Sequence, residues 1–207
     1  MHAPPLLFLV GDENVLNLPG LGIVGTTKPA PVTVDTASDC AGVAAETGCA
    51  VVSGGANGVD QTAQQSARLY NGGVLQVLPH GLRPPVDGGY EAVPNELIIT
   101  SYLPHEAWAS YRAISRNDII ASLSRAVCAL GPRCNEGAAR TARVALDQGK
   151  PAWVHPHTGS GSSALRKLGA QCLPVMPDGS LDDERFQAQL ANLPANQTAT
   201  SMQGELF

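Results

Sequence analysis

The sequence predicts an α/β fold in three layers, a mostly parallel sheet with helices on both faces. Short apolar runs at 22–24, 50–53, 74–78, 126–130 and 152–155 alternate with stretches of helical periodicity, the rhythm that parallel strands joined by crossover helices require. Those runs are apolar at consecutive rather than alternate positions, as strands covered on both faces are. Glycines punctuate the junctions. The sharpest is the stretch Ser53-Gly54-Gly55-Ala56-Asn57-Gly58-Val59-Asp60, which reads as strand, tight turn and helix start.

In chain order, Leu6 to Val10 is expected as a strand turning at Gly11-Asp12, and Gly22 to Val24 as a second strand ending in the hydroxyl-rich loop Gly25-Thr26-Thr27-Lys28. A helix follows from Thr36, its expected N-cap, to Thr47, with Gly48 as its stop. After the strand at 50–53 and the glycine turn, Val59, Ala63, Ala67 and Tyr70 recur at helical intervals up to Asn71-Gly72-Gly73. Residues 79–95, rich in proline and glycine, read as an irregular excursion, and Leu97 to Thr100 as a returning strand. Ser115 is expected to cap a helix reaching about Ser124, which places Arg116 and Asn117 in its first turn. Beyond the strand at 126–130 come an alanine-rich helix from Gly137 to Gln148, the strand at 152–155, a flexible loop at 159–163, a short strand from Cys172 to Val175 and an amphipathic helix from Leu181 to Leu193. The expected organisation is one domain over residues 1–193 and a small, polar tail over 194–207.

The bulk composition restricts function. A chain of 207 residues with 43% hydrophobic content can build one well-cored domain. Its formal charge of −5 supplies no general attraction to nucleic acid or anionic membrane, so any anion site must be local. The five cysteines (Cys40, Cys49, Cys128, Cys134, Cys172) are odd in number and lie mostly in apolar runs, which favours reduced, buried thiols and a cytoplasmic setting. No run approaches the roughly 20 apolar residues of a membrane span, and Met1 to Pro5 lack the character of a secretion signal. No metal or cofactor is expected, because none of the five histidines has metal-ligand spacing with a cysteine or acidic partner.

Two constellations suit an anion. Gly54, Gly55 and Gly58 would let the chain reverse and point bare N–H groups at a phosphate, and a neighbouring strand end offers Gly25, Thr26, Thr27 and Lys28, the only lysine in the first 149 residues. The plainer reading is an ordinary tight turn and a solvated lysine. Asp60 and Glu136 could form a carboxylate pair, but Asp60 is better explained as an acceptor for helix N–H groups. The second constellation is Ser115 to Ser124 with its surroundings. Arg112, Arg116, Arg125, Arg133, Arg140 and Arg143 fall between positions 112 and 143 against only Asp118 and Glu136, with pairing to carboxylates elsewhere expected for Arg125 and Arg143. No catalytic set emerges, which favours binding without catalysis.

Taken together, Leu6-Leu7-Phe8 with Gly11-Asp12, Ile23-Val24-Gly25, Ser53-Gly54 with Gly58-Val59-Asp60, Arg116-Asn117 with Ile119-Ile120-Ala121 and Leu123-Ser124, and Gly137 with Thr141-Ala142 resemble, in order, the motifs of the DprA/Smf DNA-processing family. The resemblance runs from about Leu6 to Val175. It implies a Rossmann-like domain that binds single-stranded DNA in a basic pocket and hands it to a recombinase during transformation. On that basis the phosphate- or nucleic-acid-binding residues would be Gly25, Thr26, Thr27, Lys28, Ser53, Gly54, Gly55, Asn57, Gly58, Asp60, Arg116, Asn117, Gly137 and Thr141. This chain departs from the family pattern at Thr27, Asn57, Asp118 and Glu136, where phosphate partners are lost or negative charge is added. Single-strand binding is therefore expected to be weak.

The alternative is a small-molecule nucleotide binder, or a phosphoribohydrolase-like enzyme of a related fold. Homodimerisation is a further partner expectation. Finally, Gln203-Gly204-Glu205-Leu206-Phe207 resembles the peptide by which bacterial replication and repair proteins dock on the DNA polymerase sliding clamp, with Gln203, Leu206 and Phe207 as the contact residues.

Overall fold

The computed structural model describes residues 6–83, 89–91, 93–134 and 136–193. Among them eight strands form one sheet: β1 Phe8–Gly11, β2 Gly20–Gly25, β3 Ala50–Ser53, β4 Val74–Val77, β5 Glu96–Thr100, β6 Ala126–Leu130, β7 Ala152–Val154 and β8 Gln171–Cys172. The spatial order is β1-β5-β4-β3-β2-β6-β7-β8. All neighbours pair in parallel except β1, which runs antiparallel to β5 at the edge. From β2 the chain winds outward through β3 and β4 to β5, then crosses back to lay β6 on the other flank of β2. That reversal between β2 and β6 is the topological switch point, the crevice where doubly wound sheets bind ligands.

Helices α1 Pro31–Glu46, α2 Val59–Leu69 and α6 Asp183–Ala191 cover one face; α3 Ser110–Leu123, α4 Gly137–Asp147 and α5 Ser162–Lys167 cover the other. The sheet thus separates two apolar cores. Leu21, Ile23, Val51, Trp153 and Phe186 pack with α1, α2 and α6, whereas Val24, Val52, Leu97, Ile99 and Ile120 pack under α3 and α4. Strand β6 is buried at every position, which explains why its sequence, Ala126-Val127-Cys128-Ala129-Leu130, shows no polar alternation. Trp153 and Phe186 meet edge to face at 5.5 Å, anchoring α6 on β7.

Several local expectations are corrected. Helix α1 begins at Pro31, five residues before Thr36; Ala30 occupies the N-cap without a side-chain bond, and Pro31 serves at the first turn, where its missing N–H costs nothing. Thr36 bonds back to the Val32 carbonyl within the helix. Likewise α3 starts at Ser110, so Ser115 lies inside it, bonded to the Tyr111 carbonyl. Both helices reach N-terminal of the first good capping residue because packing on the sheet, not a cap, decides where they start. A 3-10 turn over Glu13–Asn17, capped by Asp12, follows β1. Helix α5 begins at Ser162, inside the loop expected over 159–163, and β8 is shorter than 172–175, continuing only as a bridge between Val175 and Leu181.

Cys40, Cys49 and Cys128 are buried thiols, Cys172 is partly buried and Cys134 is exposed; all are free. Among the described residues no helix is long and apolar enough to cross a membrane. The pentapeptide with Gln203, Leu206 and Phe207 lies outside the described residues.

Candidate nucleic-acid interface

The two glycine-bearing loops meet at the C-terminal end of β2. Val59 N–H donates to the Thr26 carbonyl at 3.2 Å, and Gly58, with φ of +83°, comes so close that a side chain there would fall 2.5 Å from the same carbonyl. Glycine is thus required at 58 for both backbone angle and space. The expected grouping of 25–28 with 53–60 is real, but its polar groups are largely spent internally.

Asp60, in the first turn of α2, is buried and points back into the turn. Its carboxylate accepts from Gly54 N–H at 3.0 Å and from Gly25 N–H at 3.3 Å. Its partners are therefore the strand-end and turn amides, not those of its own helix as expected from sequence. Burial pushes the Asp60 carboxyl upward, while the Arg116 guanidinium and the N–H groups of Gly54, Ala56 and Gly25 pull it back. The central turn already holds an anion, and that anion is the protein's own. Ser53 is also committed: its hydroxyl accepts from Gln64 Nε2 at 2.9 Å, fully buried. Gly55 adopts φ of +68° against Gln76, and Asn57 is exposed at the tip.

Arg116 lies in the middle of α3, not in its first turn, and is only 7% exposed. Its guanidinium rests on Gly54 so closely that a Cβ on that glycine would sit 1.4 Å from Nη1. The same nitrogen donates to the Val77 carbonyl at 2.8 Å. Nε is buried and has no partner, an exception to the general satisfaction of buried polar atoms. Burial lowers the pKa of Arg116, with Asp60 opposing that shift. Beside this guanidinium opens a cavity of about 260 Å³, walled by Val24 and Gly25 of β2, Thr27, Ala56 and Asp60, Ala113, Ile114, Arg116 and Asn117 of α3, and Glu136 to Ala138 at the start of α4. It occupies the switch point.

Of the sequence-predicted residues, Gly25, Thr27, Asp60, Arg116, Asn117 and Gly137 line this cavity. Asn117 fits because Gly137 has no side chain; a Cβ there would lie 2.9 Å from its amide nitrogen. Thr26 is turned inward and its hydroxyl accepts from Lys28 N–H at 3.2 Å. The Lys28 side chain is exposed one residue beyond the cavity wall. Thr141 does not line the cavity: it is fully buried and its hydroxyl donates to the Gly137 carbonyl.

The arginine cluster is less available than its sequence density implied. Arg140 makes a two-pronged pair with Asp118 at 3.0 and 2.9 Å, Arg112 pairs with Glu106 at 2.6 Å, and Arg133 with Glu136 at 3.4 Å. The two arginines expected to pair with carboxylates differ in their described contacts. Arg125 donates to the Leu193 carbonyl, and Arg143 makes no ion pair among the described residues. Sequence reasoning missed Ala113 and Ile114 in the cavity wall, since nothing in an Ala-Ile pair signals a ligand. It also missed the exposed Trp108 and Tyr111 that precede them in the sequence; the aromatic density at 102–111, in a chain only 4% aromatic, was the available signal.

A mostly parallel sheet covered by helices on both faces, with a cavity at its switch point, defines the class of doubly wound, Rossmann-like α/β proteins. Within that class the chain belongs to the DNA recombination-mediator protein A family, whose model matches residues 1–178. It is 29% identical over 189 residues to the "Putative DNA processing protein DprA" of Mycobacterium tuberculosis, covering 86% of this chain and 49% of that one. It is also 29% identical over 203 residues to "Protein Smf" of Synechocystis, covering 92% and 50%. The chain thus spans about half the length of these curated relatives. Among solved structures, DNA processing protein A of Helicobacter pylori, described for its single-stranded DNA binding mode, superposes with a TM-score of 0.77 at 26% identity, covering 92% of this chain and 88% of that one.

Proposed function

We propose that this protein binds single-stranded DNA, seating a backbone phosphate in the switch-point cavity beside Arg116, and acts without catalysis in DNA processing linked to recombination or transformation. The observation that carries the reading is the Arg116 guanidinium, a residue of the cavity wall that is 7% exposed and whose buried Nε lacks a hydrogen-bond partner. A phosphate oxygen is the acceptor such a donor suits best. The Helicobacter relative's binding of single-stranded DNA supports it. The nucleotide-cleaving alternative is not favoured, because the family match extends through all the strands that build the site.

Binding is weak, since Asp60 and Glu136 share the cavity with a single guanidinium. Among the described residues around the cavity and the adjoining cleft, Arg116, Lys28 and Arg143 are the cations outside the ion pairs, so titration of a single strand at several salt concentrations should give a log-log slope of about −2, at roughly −0.7 per neutralised phosphate. Absence of binding at low salt, or affinity indifferent to salt, refutes the reading. We further infer that Gln203, Leu206 and Phe207 dock on a sliding clamp, a contact independent of the cavity.

A further inference from the structure

Tyr111 and Trp108 are each 61% exposed, Ile114 50% and Leu103 46%, all at the start of α3 and in the segment leading into it. The chain's other tryptophan, Trp153, is 2% exposed. Leaving large rings in water forgoes the free energy that burying them would release, so a local group of them calls for an occupant. The cluster is rigid as well as open. Arg112 lies over the Tyr102 ring at 5.1 Å and the Tyr111 ring at 5.5 Å. Its nitrogens also bond the Tyr111 hydroxyl, the Ala107 carbonyl and Glu106. Glu106 in turn accepts from Leu103 N–H at 2.7 Å. One guanidinium thus ties segment 102–107 to the first turn of α3.

The cluster also runs into the cavity. Tyr111 and Ile114 are neighbours three residues apart on one helix face, and Ile114 is itself a wall of the cavity that contains Arg116. We propose that Trp108, Tyr111 and Ile114 form a ledge on which unpaired bases of a nucleic acid strand stack while its phosphate occupies the Arg116 cavity. The proposal rests on the single-strand reading above and adds where the bases go. Three features select bases over a protein partner: the two most exposed side chains of the patch, Trp108 and Tyr111, are flat rings, a guanidinium lies against the Tyr111 ring, and the patch is continuous through Ile114 with the cavity walled by the buried Arg116. Because the neighbouring arginines are neutralised by Glu106, Glu136 and Asp118, stacking rather than charge carries most of the affinity.

The test compares an oligothymidylate with an abasic strand of equal length and charge, binding to the wild-type chain, Trp108→Ala, Tyr111→Ala, Tyr111→Phe and Lys28→Ala. Each alanine ledge variant is expected to bind oligothymidylate about 5- to 100-fold more weakly with an unchanged salt slope. Tyr111→Phe retains binding, and the wild type binds the abasic strand as weakly as the ledge variants bind the normal one. Lys28→Ala reduces the magnitude of the slope by about 0.7 and leaves the preference for bases intact. If the wild type binds both strands alike and the ledge variants match it, the ledge is wrong while the cavity reading stands. If neither strand binds at low salt, both fall. If Tyr111→Ala instead changes the sedimentation of the free protein, the patch is a self-association surface and the proposal is overturned.

Discussion

The glycine turn after β3 and the cavity under α3 share a wall at Ala56 and Asp60, yet they treat their polar groups in opposite ways. In the turn the amides of Gly54 and Gly25 are taken by the Asp60 carboxylate and the Ser53 hydroxyl by Gln64. In the cavity, Arg116 satisfies one nitrogen on Val77 and leaves Nε bare. The first arrangement is complete without a ligand; the second is not. A glycine-rich turn advertises bare amides, but an internal carboxylate can occupy them, after which the turn is scaffold. The binding site is where a desolvated donor has been left unpaired.

The largest effect expected from this contrast is on stability. Replacing Asp60 by alanine strips the acceptor from two amides and the nearest negative charge from Arg116, and should cost about 2–4 kcal/mol in chemical denaturation. A change below about 0.5 kcal/mol would break the comparison, because the turn would then not depend on its internal anion.

Next comes Arg116→Ala. It should weaken single-strand binding at least tenfold, the order expected for losing one charged hydrogen bond of about 1.5–3 kcal/mol. Arg116→Lys should not restore it, because a lysine cannot both reach the Val77 carbonyl and present a second donor to the cavity. Full binding by either variant would place the strand elsewhere. Gly55 is a poor probe for the same purpose: its φ of +68° makes any side chain strained, so lost binding there would not separate site from fold.

A smaller and opposite effect sharpens the point about the paired arginines. Asp118→Asn releases Arg140, which lines the neighbouring cleft with Arg143. It should steepen the salt slope by about 0.7 and strengthen binding modestly at low salt. Stability should change by less than about 1 kcal/mol, because the pair is solvent-exposed. An unchanged slope would mean that Arg140 points away from the strand.

Smallest of all should be the effect of Leu206→Ala with Phe207→Ala on single-strand binding, which is expected to be nil. The same double substitution should abolish docking on a sliding clamp measured by direct titration. If the intact chain and the variant bind the clamp alike, or neither binds, the pentapeptide has no such role.

The sequence by itself determined the alternation of strands and helices, the parallel sheet and the junctions where glycine must turn, because apolar periodicity and backbone permission are recorded within a few neighbouring residues. It also brought Gly25 to Lys28 and Ser53 to Asp60 to the same end of the sheet. What only the tertiary structure decided is which polar group answers which. Asp60 reaches Gly25 across 35 positions, Arg116 reaches Val77 across 39, and Arg140 reaches Asp118 across 22. Such pairings depend on strand order and on which face each helix buries. Asp118 therefore reads in the sequence as a charge that repels phosphate, and in the fold as the partner that occupies Arg140. Arg116 reads as a residue of an exposed first turn, whereas the packing of α3 on the sheet draws it under Gly54, where losing water makes its unpaired Nε count.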